Sequence, residues 1–151
     1  MRPTVAIALF CDSVRQEKSG SESIIGVMSD NVNIAKVPSL IPRVSLYVRL
    51  QIDRDVDPNP IKILLSTPDG REEPIMDVDP TTVDKSRESA RERDKPFGGV
   101  VCRVEMAPFH VPTYGRLGVI VQTKTERIIA GTLAFLKPEE EATSNEPELP
   151  S

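Results

Sequence analysis

The chain has 151 residues, 38% of them hydrophobic and 28% charged, with a formal net charge of −4. That length suits one hydrophobic core rather than two, and the composition argues against wholesale disorder. Basic residues are spread through the chain with acids beside them, so the clustered positive field of a nucleic-acid binder is missing and no nucleic-acid partner is expected.

Residues 4–10 (TVAIALF) form a short, nearly continuous apolar run, the pattern of a strand buried on both faces or at a sheet centre. Residues 12–23 are polar, with a turn at Lys18-Ser19-Gly20-Ser21, and residues 23–28 (SIIGVM) are again apolar. The two apolar runs read as a hairpin with a long loop. Residues 34–41 carry Pro38 and are followed by Pro42, which makes them an edge strand or an extended connector, because proline cannot donate to a ladder.

Residues 43–52 (RVSLYVRLQI) organise the rest. Val44, Leu46, Val48, Leu50 and Ile52 occupy every second position, with Arg43, Ser45, Tyr47, Arg49 and Gln51 between them. Side chains alternate across a strand, so this run has one apolar and one polar face. A helix would scatter the same five aliphatic residues around its circumference. The stretch therefore predicts a long strand in an antiparallel sheet, one side in the core and the other in water.

Residues 53–60 (DRDVDPNP) are an acidic loop, 61–67 (IKILLST) a further strand, Pro68-Asp69-Gly70 a turn, and 72–78 a short returning strand. Residues 79–96 surround DKSRESARERDK, whose charges alternate in sign without an apolar face. A solvated loop holding at most a turn or two of helix is the expectation there. Residues 98–106 (GGVVCRVEM) read as a strand burying Val100, Cys102, Val104 and Met106; residues 108–114 are a proline-bracketed connection. Residues 117–122 and 128–136 close the fold as a terminal hairpin. Beyond Pro138, EEEATSNEPELPS has the composition of a disordered acidic tail.

About seven or eight short strands separated by Pro, Gly and Asp turns predict an all-β fold: a single antiparallel β-sandwich, immunoglobulin-like or C2-like, over residues 1–137, with a tail over 138–151. A closed barrel is the architectural alternative. No run approaches the roughly 20 apolar residues that span a bilayer, and the first residues are too few and too soon polar for a secretory signal. A cytoplasmic location follows as the expectation, and with it two reduced, buried thiols at Cys11 and Cys102 rather than a disulfide.

Reactive motifs are scarce. G-x-S-x-G, the Walker loop and G-x-G-x-x-G do not occur, and His110 is the sole histidine. A Cys102–His110 dyad would need a thiol from the buried side of its strand, where thiols are inert. Neither an enzyme nor a cofactor is expected. Asp53, Asp55 and Asp57 at alternate positions, with Asp77 and Asp79 repeating the spacing, give the one candidate metal set. Calcium takes six to eight oxygen ligands, and two loops at one end of a sandwich can supply carboxylates, as in C2-type domains that bind ligands or membranes. Solvated turns, which favour aspartate, are the simpler account. Tyr114, before the penultimate strand, is expected to hydrogen-bond across a corner.

The segments ALFCDSVRQEKSGSESIIGVMSD and VPSLIPRVSLYVRLQI, with the closing GRLGVIVQTKTERIIAGTLAFL, resemble the strand pattern of a family of short, uncharacterised bacterial proteins. The resemblance covers most of residues 4–137. It implies a bacterial β-sandwich whose function is unknown and transfers no catalytic residue. The expected activity is that of a non-catalytic protein-binding or scaffolding module. Its surface would be the polar side of the organising strand, at Arg43, Tyr47, Arg49 and Gln51, since Tyr and Arg are the residue types enriched at interfaces. Pairing of two copies through a strand edge is the second route to a partner.

Overall fold

The computed structural model describes residues 2–138; the predicted acidic tail lies outside the described residues apart from its first residue. The strands are β1 (Thr4–Cys11), β2 (Ser13–Gln16), β3 (Glu22–Ile25), β4 (Asn31–Asn33), β5 (Ser39–Ile41), β6 (Val44–Asp53), β7 (Ile61–Ser66), β8 (Glu72–Val78), β9 (Phe97–Met106), β10 (Phe109–Val111), β11 (Gly115–Gln122) and β12 (Arg127–Leu136). One helix, α1 (Pro80–Glu92), joins β8 to β9. A three-stranded antiparallel sheet has the order β1-β6-β9, and a five-stranded sheet the order β4-β12-β11-β7-β8, antiparallel except where β4 meets β12. Two ribbons, β2–β3 and β5–β10, complete the protein, and neither larger sheet closes into a barrel.

The organising strand is as its alternation predicts. Val44, Leu46, Val48, Leu50 and Ile52 of β6 are all 0% exposed. They share one core cluster with Ala6, Ala8 and Phe10 of β1, Val100 and Cys102 of β9, and the inward rows of the five-stranded sheet, among them Ile63, Leu117, Leu133 and Phe135. Full burial of a large aliphatic side chain contributes roughly 1.5–3 kcal/mol, so this cluster is the main source of cohesion. Pro74 sits in β8 opposite Leu64, and the register slips by one residue beside it, as a residue without an N–H requires.

The start of the chain departs from expectation. The run at 4–10 is neither central nor buried on both faces: β1 lies at the edge of its sheet and pairs with β6, with Ile7 opposite Arg49 and Leu9 opposite Tyr47. Its partner in the predicted hairpin, β3, pairs instead with β2, drawn from the stretch read as loop. Strand β12 passes close to the other flank of β1. A Cβ on Gly131 would lie 2.7 Å from the Ala8 carbonyl oxygen, so only glycine allows that approach.

A second correction concerns residues 80–92, which are helical and not loop. Asp79 caps the helix, its carboxylate accepting the Thr81 N–H at 2.9 Å, and Pro80 stands at the first helical position, where its missing N–H costs nothing. Val83 and Ala90, two turns apart, are the buried residues and suffice because α1 packs along a strand edge rather than over a sheet. The Ser86 hydroxyl donates to the Gly99 carbonyl at 2.8 Å, and Gly98 leaves room for the Ser86 backbone. The start of the free edge of β9 is thereby covered.

Candidate protein-binding face

Strand alternation turns the odd-numbered residues of β1, β6 and β9 away from the core, and the ladders align them in rows across the sheet. The rows are Val5–Gln51–Gly99, Ile7–Arg49–Val101, Leu9–Tyr47–Arg103 and Cys11–Ser45–Glu105. The β2–β3 ribbon and its flanks reach the last two rows. The Ser45 hydroxyl donates to the Asp12 carbonyl at 3.2 Å, the Arg103 guanidinium meets Glu22 at 3.0 Å, and Ser45 is buried. The first two rows are open. Val5 is 40% exposed, Ile7 56% and Val101 37%, and Leu9, in the adjoining row, is 36% exposed. Between them stand Arg49 and Gln51, both exposed. A shallow pocket of about 80 Å³ is lined by Val5, Ile7, Arg49 and Gln51.

Of the four residues predicted for this surface, Arg49 and Gln51 lie in the open rows and half-buried Tyr47 lies in the next one. Arg43 lies beyond the last row, paired with Glu105 at 3.3 Å. Sequence reasoning missed the apolar half of the face: Val5, Ile7, Leu9 and Val101. The signal was present, because TVAIALF is apolar on both parities and only one of them fits into the core.

Four of the five candidate metal ligands make local contacts, and the fifth, Asp77, lies apart from them on β8. Asp53 accepts the Asp55 N–H at 2.8 Å, and Asp57 accepts the Asn59 N–H at 3.1 Å, both closing turns. The Asp55 carboxylate lies 3.7 Å from Arg54, Asp77 sits on β8 opposite Lys62, and Asp79 caps the helix. Among the described residues, no three His, Cys, Asp or Glu side chains are grouped to hold a metal ion. Tyr114 does as expected, its hydroxyl donating to the Ile34 carbonyl at 2.9 Å.

Cys11 and Cys102 are both free and buried. Burial pushes each thiol above its ordinary value, with Asp12 adding to the effect at Cys11 and Arg103 opposing it at Cys102. The resulting thiols are poor nucleophiles. Cys102 faces the core from β9, while His110 is exposed on β10 beside a cleft of about 450 Å³. Arg71, the one cation lining that cleft, is tied to Asp69 at 2.8 Å and Glu73 at 3.0 Å.

Comparison with known proteins gives a family match over residues 6–133, to a family of unknown function, DUF6941. The chain belongs to that family. No curated protein and no solved structure matches it. The stretch that places the chain in DUF6941 takes in all of β6 and β9 and most of β1, so the whole open face except Val5 belongs to the matched region. No helix among the described residues is long and apolar enough to cross a membrane.

Proposed function

We propose that this DUF6941 chain is a non-catalytic protein-binding module, built as a β-sandwich of the immunoglobulin-like or C2-like kind, that holds its partner on the open end of the three-stranded sheet. The observation that carries this is the mixed composition of the open rows and their border: exposed Val5, Ile7 and Val101 around Arg49 and Gln51, with exposed Leu9 and half-buried Tyr47 in the adjoining row. Isolated exposed aliphatics need no explanation, whereas a contiguous set around an arginine and a tyrosine has the make-up of an interface core. The partner surface would be apolar with a carboxylate opposite Arg49. Inert thiols and an exposed lone histidine support a non-catalytic role, and two reduced cysteines suit a bacterial cytoplasm.

The outer strands favour the face over edge-to-edge pairing of two copies. The start of the β9 edge is under α1, β12 crowds β1 at Gly131, β4 has three residues, and β8 presents Glu72, Glu73 and Pro74. The test is affinity purification of the full chain with Ile7→Asp, with Tyr47→Ala/Arg49→Ala, and with Lys62→Ala on the other sheet as control. A protein that wild type and K62A retain and both face variants lose is the expected result. A partner set unchanged by the face variants overturns the reading.

A further inference from the structure

At the β9 edge of the same sheet, α1 and the start of β9 line a groove of about 370 Å³. Lys85, Ser89 and Arg93 line it at intervals of four residues, a stripe along the helix that ends on its C-cap, and Lys95 lines it too. The floor is Phe97 and Gly99. None of the lining residues is acidic, in a chain whose net charge is −4. The nearby Asp94 carboxylate is held by Arg54 at 3.1 Å. Among the described residues, no ion pair engages Lys85, Arg93 or Lys95.

The two glycines of β9 differ in a way that packing does not explain. Gly98 is required by the protein itself, since a Cβ there would sit 2.5 Å from the Ser86 carbonyl oxygen. A Cβ on Gly99 would meet nothing within 4 Å. Glycine inside a strand weakens it, and close approach of a ligand to the backbone is one of the uses that offset that cost. We propose that this groove binds a small organic phosphate, with Lys85, Arg93 and Lys95 on the phosphate, the Ser89 hydroxyl as an added donor, and Phe97 against the organic part.

The volume falls within the roughly 300–1,000 Å³ of small-molecule sites. Phosphate recognition by several cations rests on charge-assisted hydrogen bonds, about twice as strong as neutral ones. The C-terminal end of α1 contributes only about half a negative charge, which three cations outweigh.

Inorganic pyrophosphate, titrated into the full chain by calorimetry at constant ionic strength, is the probe. Saturable binding and a raised melting temperature are expected. Lys85→Gln with Arg93→Gln removes two charge-assisted contacts and should weaken binding at least about tenfold, the worth of one of them. Gly99→Val should abolish binding by filling the floor while circular dichroism and the ligand-free melt stay as in wild type, and Gly99→Ala provides the gentler variant. Absence of saturable binding to wild type, or binding that survives both the charge and the Gly99 variants, overturns the proposal. Capture on phosphatidate vesicles without any response to free pyrophosphate also overturns it, in favour of a membrane surface.

Discussion

The two faces of the three-stranded sheet are built from the same three strands, yet they follow different rules. Its inner face is apolar apart from Thr4 at one end, and along β6 every inward aliphatic side chain is wholly excluded from solvent. The outer face changes character from row to row: hydroxyl and ion-pair contacts under the β2–β3 ribbon, then aliphatic residues around Arg49, then a glycine opening onto a groove. A buried face has one requirement, to fill space at crystal-like density. An exposed face has none from folding alone, so its departures from ordinary polarity are where function is to be sought.

The contrast predicts a wide gap between substitutions on the two sides. Leu50→Ala, on the inner face, should cost about 2–5 kcal/mol in chemical denaturation, because a cavity remains in a core that cannot fully collapse. A loss below about 1 kcal/mol would mean that the two layers are not packed against each other there.

A smaller effect is expected at alkaline pH, also from the inner face. Burial raises the Cys102 thiol above its ordinary value of 9.0, so the folded state retains a proton that the unfolded chain gives up. The stabilising contribution is therefore complete below pH 9.0 and is lost as the pH rises through the folded-state value. Cys102→Val should flatten part of the decline in stability above pH 9.0, with Cys11, shifted in the same direction, accounting for a further part. An identical alkaline limb in wild type and C102V would place the thiol in contact with solvent.

How far each face was legible in the sequence follows from the same contrast. Strand β6 was readable because one side is wholly buried and the other polar, so its alternation is complete. Strand β1 was readable as a strand but not in its place, because Val5, Ile7 and Leu9 erase the alternation that Ala6, Ala8 and Phe10 would otherwise show. The feature that obscured its place in the sheet is the one on which the proposed binding face rests. Helix α1 escaped detection for the opposite reason. Its buried side is reduced to Val83 and Ala90 by packing on a strand edge, and only Asp79-Pro80 announced a helix start. Of the predicted surface, Arg49 and Gln51 were found from periodicity alone, whereas the ribbon that separates Arg43 from them depends on a pairing of β2 with β3 that no local pattern encodes.

The smallest effect sharpens the comparison most. Ile7→Thr keeps a β-branched side chain on an edge strand, at a position 56% exposed, so neither strand propensity nor the core is disturbed. Stability should stay within about 0.5 kcal/mol of wild type, the range for surface positions. The same change removes apolar area from the centre of the open rows, opposite Arg49, and should lower affinity for any protein held there. A variant unaltered in its melt but weakened in partner capture separates the two faces by function. If Ile7→Thr instead cost as much stability as Leu50→Ala, Ile7 would belong to a buried contact, and the outer face would have to be counted as part of the core.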